Sequence, residues 1–289
     1  MRPEQVQTAD GARLACRVFE APGPARGSVV IGAAMGVTQE FYAAFAQWLA
    51  AQGWRVTTFD YRGHGQSVPP GRTLRGFRAD LFDWARDYDA VIGQAHAALP
   101  GRPLYLLGHS LGAQLPGLLE RKHLVSGMLC VAAGSGYWRD TAPRIRRAAF
   151  YFWFLLVPLA TGLFGYFPGR RLRKIGDLPA GVVLQWRRWC LAPRYSVGAE
   201  GESVRQRYAG ARFPVHALSM DDDELMTLQG IRVLMDLYEN ASTEVHRVAP
   251  RDFGIRRIGH FGAFRREREA DLWPRMAQWL AGLGGARPA

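Results

Sequence analysis

The chain has 289 residues, of which 48% are hydrophobic and 21% charged, a balance that excludes a largely disordered protein. Three widely spaced cysteines without a CxxC pair predict reduced thiols rather than a disulfide framework or a zinc site: Cys16, Cys130 and Cys190. The formal net charge is +12, and +10 of it falls between residues 139 and 212. Because the excess is confined to one segment, we expect no nucleic-acid partner.

The first residues, "MRPEQVQTADGARL", contain no apolar run behind the basic residue. This composition predicts a chain without a secretory signal. We therefore expect a cytoplasmic protein.

Short apolar strands alternate with amphipathic helices along the chain. A strand in "RGSVVIG" precedes a helix over "TQEFYAAFAQWLAAQG", and a strand in "WRVTTF" precedes a helix that Asp80 opens. Later strands are predicted in "PLYLLG", "GMLCVAAG", "PVHALSM" and "STEVHRVAP", and the last helix lies around "DLWPRMAQWLAGL". This alternation predicts an α/β fold, a mainly parallel twisted sheet with helices on both faces.

A serine lies between two glycines in "GHSLG", at the end of the predicted strand "PLYLLG". A G-x-S-x-G sequence at a strand-to-helix turn is typical of an exposed serine nucleophile, and it lies at the sheet edge where ligands bind. We therefore predict that Ser110 is a nucleophile. The neighbouring His109 is expected to point elsewhere, and Pro116 predicts a kinked helix or a short first turn.

A serine nucleophile needs a base held by a carboxylate, and both should follow it in the chain. His260, in the glycine-flanked loop "RRIGHFGAF", is the predicted base. The acid lies in the run Asp221, Asp222 and Asp223 beyond a strand; we prefer Asp223, since Leu225 is placed to anchor the loop, and Asp222 is second. Other histidines are interpreted as surface or strand residues: His96, His123, His216 and His246.

Backbone amides must also stabilise the negative oxygen that develops during acyl transfer. One is predicted at Leu111, directly after the nucleophile, and the other at Met35 in the loop after the first central strand, with Ala34 as the next candidate. This chemistry requires neither a metal nor an organic cofactor.

Together these motifs resemble the α/β-hydrolase superfamily, specifically capped serine hydrolases similar to monoglyceride lipases and serine aminopeptidases. The resemblance covers roughly residues 10 to 282, and a likeness to a bacterial group of α/β-hydrolases without assigned substrates extends to "GYFPGRR" and "LPAGVVLQWRRWC". It implies a triad and an oxyanion hole made by Ser110, Asp223, His260, Met35 and Leu111. Relatives usually carry His-Gly where this chain has Ala33 and Ala34.

The resemblance and the spacing of the strands divide the chain into three segments. Residues 1–136 and 213–289 are predicted to form the hydrolase core, and residues 137–212 a helical cap inserted between two strands. A connection of this length exceeds what adjacent elements need.

The centre of the predicted cap, residues 148–169, has no charged residue in 22 positions and is flanked by arginines. That length could span a bilayer, but Pro158, Gly162 and Gly165 are expected to break it. We expect a lid that covers the active site and lines an acyl pocket or touches lipid. A wholly buried helical hairpin with solvated arginines is the alternative.

These features predict a hydrolase that cleaves carboxylic esters through an acyl-enzyme on Ser110, acting on a small-molecule substrate with a medium- or long-chain acyl group. An acyltransferase or a serine aminopeptidase with the same triad is the alternative. The cap is expected to make peripheral contact with the inner membrane surface.

Overall fold

The computed structural model describes residues 1–285. Its strands are β1 (Arg2–Gln7), β2 (Arg13–Phe19), β3 (Ser28–Gly32), β4 (Arg55–Phe59), β5 (Leu104–His109), β6 (Gly127–Val131), β7 (Tyr166–Phe167), β8 (Leu178–Pro179), β9 (Val215–Met220) and β10 (Thr243–Val248). Eight of them form one sheet in the order β1-β2-β4-β3-β5-β6-β9-β10, and β7 pairs with β8. The pairs that β2 makes with β1 and β4 are antiparallel, and all other pairs in the large sheet are parallel.

Helices cover both faces of this sheet, and every residue of β3, β4, β5 and β6 is consequently buried. The helices are α1 (Ala43–Ala51), α2 (Leu81–Ala98), α3 (Leu111–Gln114), α4 (Arg146–Tyr151), α5 (Val157–Phe164), α6 (Ala180–Leu191), α7 (Tyr195–Glu200), α8 (Glu202–Ala209), α9 (Leu228–Met235), α10 (Gly259–Gly262) and α11 (Leu272–Gly282). Asp80 caps α2 as expected, because its side chain accepts from the backbone N–H of Asp83. The predicted mainly parallel α/β sheet is confirmed.

The long connection between β6 and β9 contains α4 to α8 and the small β7-β8 pair. Within residues 1–285, one helical run, Pro143–Phe164, has the length and composition to cross a bilayer. The expected interruptions at Pro158 and Gly162 are wrong, since helical structure continues through both and ends at Gly165. A π-helical turn, Phe152–Leu156, precedes Pro158. Its backbone hydrogen bonds run from residue i+5 to residue i, and this change of spacing accommodates a proline, which has no backbone N–H.

The alternative of a wholly buried hairpin is also wrong, because only 22% of the most apolar part of this run is buried. A set of large apolar side chains is exposed along it, and we name this set the cap stripe: Phe150, Tyr151, Phe154, Leu155, Leu159 and Leu163. The opposite side of the run packs on the protein through Trp153 and Val157.

The connection docks on the elements that carry the predicted site. Gly176 donates its backbone N–H to the carbonyl of Gly36, 3.0 Å away, and the Tyr195 hydroxyl donates to Gln114 Oε1 at 2.6 Å. The boundaries at residues 136/137 and 212/213 stay a prediction, and the end of the segment 213–289 lies outside the described residues.

Candidate active site

Ser110 lies on a sharp turn between β5 and α3, with φ 52° and ψ −113°. A side chain on Gly108 would lie 2.5 Å from the backbone of Ala113, and one on Gly112 would overlap the carbonyl oxygen of Gly32. Both glycines are therefore required because backbone passes where a Cβ would be, which explains why this serine has a glycine on each side. The strained dihedral angles of Ser110 are held by the packing around them.

The loop of His260 lies at the same edge of the sheet and is joined to the acidic loop after β9. His260 Nδ1 is 2.9 Å from Asp223 Oδ2, and both residues are 5% exposed. The other carboxylate oxygen of Asp223 accepts the backbone N–H groups of Leu225 at 2.9 Å and Met226 at 3.0 Å. Because a carboxylate only accepts, Nδ1 carries the proton and Nε2 presents a lone pair. Such an imidazole can act as a general base.

The neighbouring carboxylates have different surroundings. Asp222 accepts the backbone N–H groups of Ile258 at 2.9 Å and Gly259 at 3.0 Å, so it fixes the approach of the chain to His260. Asp221 lies 3.7 Å from the exposed Arg251. The geometry favours Asp223 as the partner of His260 and gives Asp222 a positioning contact that the sequence did not indicate.

A buried chain of hydrogen bonds joins His109 to both sides of the site. His109 Nε2 lies 3.0 Å from the carbonyl oxygen of His260 and therefore donates to it. Its Nδ1 must then accept, and it does so from the Tyr42 hydroxyl at 2.8 Å. That hydroxyl accepts in turn the backbone N–H of Ala34 at 2.9 Å. Complete burial lowers the pKa of His109 well below 6.5, which keeps its ring neutral.

The two predicted oxyanion donors lie on neighbouring strand ends. Gly32 in β3 pairs with Gly108 in β5, and Met35 and Leu111 each follow three residues later in the chain. Among residues 1–285, neither of their backbone N–H groups has a hydrogen-bond acceptor, whereas the N–H of Ala34 is taken by a tyrosine hydroxyl. The structure thus leaves Met35 free to donate and disfavours Ala34.

The ring of His260 lies against the residue before Ser110 and is not hydrogen-bonded to the serine in this structure. The ring of His260 packs 5.2 Å, centroid to centroid, from the ring of His109, which directly precedes the serine. Within the described part of the chain, no hydrogen bond joins the Ser110 hydroxyl to the His260 ring, and Ser110 is 7% exposed. Such bonds are often long before substrate binds and shorten in the complex.

An open cavity of about 530 Å³ borders His260. Leu225 and Phe261, each 37% exposed, give it an apolar part. Its charged residues are Arg257, Arg265, Arg268, Glu224 and Glu267. The cavity can therefore admit an apolar group next to the predicted base.

Sequence reasoning missed three residues that hold this site together. Tyr42 lies between Phe41 and Phe45, which belong to the apolar stripe of a helix, so no sequence signal indicated that its hydroxyl forms hydrogen bonds in the site. His109 was expected to point away from the serine, and it does, but its two partners are 67 and 151 residues away. The bonds of Asp222 likewise depend on a loop 36 residues later.

Comparisons with known proteins identify relatives of this chain by sequence. The family model described as "Serine aminopeptidase, S33" matches residues 23–163. A monoacylglycerol lipase of Mycolicibacterium smegmatis is 27% identical over 267 residues, covering 82% of this chain and 83% of that protein. Human monoglyceride lipase is 28% identical over 126 residues, 43% of this chain and 40% of that protein.

Solved structures show the same fold over nearly the whole length. A soluble variant of monoglyceride lipase from Saccharomyces cerevisiae, in complex with a substrate analogue, superposes with a TM-score of 0.70 at 16% identity, covering 99% of this chain and 97% of that one. A carboxyl esterase from Bacillus coagulans gives 0.68 at 11% identity and covers 98% of both chains. The chain therefore has the α/β-hydrolase fold and is similar in sequence to monoglyceride lipases.

Proposed function

We propose that this protein hydrolyses carboxylic esters with medium- or long-chain acyl groups, and that Ser110, His260 and Asp223 carry out the reaction. The observation that carries the proposal is the buried His260–Asp223 pair at the sheet edge where the strained turn presents Ser110. The relatives named as monoacylglycerol or monoglyceride lipases support an ester substrate.

The residues assign each step of an acyl transfer. Ser110 Oγ attacks the carbonyl carbon while its proton passes to His260 Nε2, and Asp223 stabilises the imidazolium. The negative oxygen lies against the N–H groups of Met35 and Leu111, a contribution of about 10²- to 10³-fold in rate for each donor. His260 then protonates the leaving alcohol. A water molecule, deprotonated by the same ring, attacks the acyl-enzyme and releases the carboxylic acid and free Ser110.

A series of p-nitrophenyl esters of increasing chain length tests this reaction on wild type and Ser110→Ala. We expect wild type to prefer medium or long acyl chains, and the substitution to remove nearly all activity because no nucleophile remains. Tyr61→Phe is the matched control, since the hydroxyl of this buried tyrosine has no hydrogen-bond partner within residues 1–285. Undiminished hydrolysis by Ser110→Ala would contradict the mechanism.

An ester is favoured over a peptide with a free N-terminus. An aminopeptidase must hold a substrate ammonium group, which a net negative lining favours. Here the cavity beside His260 has three arginines and two glutamates, and Glu224 lies 2.7 Å from Arg257. Aminoacyl p-nitroanilides should therefore be poor substrates. Product analysis with an added alcohol separates hydrolysis from transfer to that alcohol, which would indicate an acyltransferase.

We also propose that the cap places the enzyme on the inner membrane surface, where long-chain esters reside. Tyr151, Leu155, Leu159 and Leu163 of the cap stripe follow at four-residue spacing and so lie on one face of the helical run. Leu159 and Leu163 are 69% and 71% exposed. Exposed basic residues flank the run at both ends: Arg144, Arg146, Arg147, Arg170, Arg171 and Arg173. This pattern is typical of a helix that lies in an anionic lipid interface.

Vesicle flotation tests this placement. We expect retention on vesicles that contain phosphatidylglycerol and much less on pure phosphatidylcholine. Leu159→Ser together with Leu163→Ser removes about 3 kcal/mol of apolar burial, about a hundredfold in binding, while hydrolysis of a water-soluble ester stays unchanged. Equal retention of the double variant would contradict contact through the cap stripe.

A further inference from the structure

A second cluster of titratable side chains lies on the sheet, away from the candidate active site. Glu244 in β10 is paired in register with His216 in β9, and His246 follows two residues after Glu244. Since side chains alternate along a strand, all three lie on the same face of the sheet. His216 and Glu244 are the second residues of their strands and His246 is the fourth of its strand, so the cluster begins about 13 Å and ends about 7 Å from the carboxyl ends of these strands.

The three side chains already approach one another at distances that suit metal coordination. His246 Nε2 lies 3.2 Å from His216 Nδ1. The Glu244 carboxylate lies 3.6 Å from His216 Nε2 and 3.4 Å from His246 Nδ1. These contacts involve both nitrogens of each ring, whereas a single ion takes one nitrogen from each. One potential ligand atom from each residue can be chosen so that all three lie within 4.8 Å of one another.

The surroundings limit movement of the cluster. The indole of Trp279 in α11 stacks on the ring of His246, with centroids 4.7 Å apart and planes 9° apart. Two adjacent strands fix the spacing of the three residues.

We propose that His216, Glu244 and His246 bind one divalent transition-metal ion, with Zn²⁺ as the probe. Two imidazoles and a carboxylate are the donors that such an ion accepts, whereas Mg²⁺ and Ca²⁺ prefer oxygen ligands. The exposed Glu244 leaves a fourth position for water. Because the site is remote from Ser110, its metal stabilises the β9–β10 edge and takes no part in ester hydrolysis.

Zinc titration of the full chain, prepared without a histidine tag and treated with a chelator, tests the proposal. A chromophoric chelator competes for the ion and reports the affinity. We expect one Zn²⁺ per chain with Kd below ~10 µM, and a melting temperature raised by about 4 °C at hundredfold excess over Kd. The three cysteines are buried and should not compete for the ion.

Two variants and one control locate the ion. Glu244→Gln replaces an exposed side chain, and His246→Phe keeps an aromatic ring against Trp279, so both should fold. Each should weaken Zn²⁺ binding at least about tenfold, whereas His123→Gln, at an exposed histidine elsewhere, should leave it unchanged. Equal affinity in wild type and His246→Phe, or binding weaker than ~100 µM, would overturn the proposal. Ester hydrolysis measured without zinc should be the same in all variants. If the zinc titration shows no binding, the proposed ester hydrolysis is therefore unaffected.

Discussion

Replacing Tyr42 by phenylalanine tests the hydrogen-bond chain behind the candidate active site. The hydroxyl of Tyr42 accepts from the Ala34 N–H at 2.9 Å and donates to His109 Nδ1 at 2.8 Å, and the side chain is 1% exposed. Removing the hydroxyl leaves the Ala34 N–H and His109 Nδ1 buried without a partner, and each such group costs about 1–3 kcal/mol of stability. We expect Tyr42→Phe to lower the free energy of unfolding by about 2–4 kcal/mol.

The same substitution should lower kcat by about tenfold with little change in KM. It removes the bonds that hold the loop of Met35 and, through His109, the backbone of His260, and both of these residues act in the proposed transition state. Tyr61→Phe provides the comparison, since Tyr61 is also buried and its hydroxyl has no hydrogen-bond partner in the described part of the chain. It should change stability by no more than about 0.5 kcal/mol. Urea unfolding and steady-state kinetics of both variants decide the matter. Equal stability and equal kcat in the two would refute the reasoning.

Three further substitutions test the turn, the acid and the buried histidine. Gly112→Ala should lower the free energy of unfolding, measured in urea, by about 3 kcal/mol or more, because the new Cβ would overlap a backbone oxygen. Gly162→Ala is the control: it has open space around it and should leave that free energy unchanged or raise it by up to about 1 kcal/mol. Asp223→Asn should lower kcat by about 10³-fold or more and Asp222→Asn by about tenfold, and the reverse order in an ester assay would identify the other carboxylate as the acid. The pKa of His109 is lowered on folding, so the unfolded chain takes up the proton first and stability falls as pH drops below 6.5. His109→Gln should reduce that fall, measured by urea unfolding at pH 7 and pH 5, by at most about 1.4 kcal/mol per pH unit, and parallel curves for the two proteins would argue against a neutral buried ring.

The central part of the fold could be predicted because its strands are buried on both faces and so form uninterrupted apolar runs. All five residues of β3 are buried, for example, and the segment is rich in β-branched residues. The antiparallel strands β1 and β2 gave no such signal. In β1 only Val6 is fully buried, and the strand is held mainly by pairing with β2. Pairing partners of that kind are not visible in composition.

The site was predictable where chemistry leaves a local motif. The glycines around Ser110 reflect close backbone approach, and Gly259 before His260 has a φ of 60°, a conformation that favours glycine; both constraints are local in the sequence. The contacts of Tyr42 and Asp222 depend instead on which distant loops the sheet brings together. At Pro158 a local signal was misleading. Proline predicts a break in the helix, but the π-helical turn before it lets the helix continue.

The structure of a covalent adduct with a long-chain phosphonate ester tests the central claim most directly. The account predicts a bond between phosphorus and Ser110 Oγ, with the phosphonyl oxygen about 2.7–3.1 Å from the backbone nitrogens of Met35 and Leu111. His260 Nε2 should lie within hydrogen-bond distance of the Ser110 oxygen. An adduct on another residue, or a phosphonyl oxygen directed away from both amides, would contradict it.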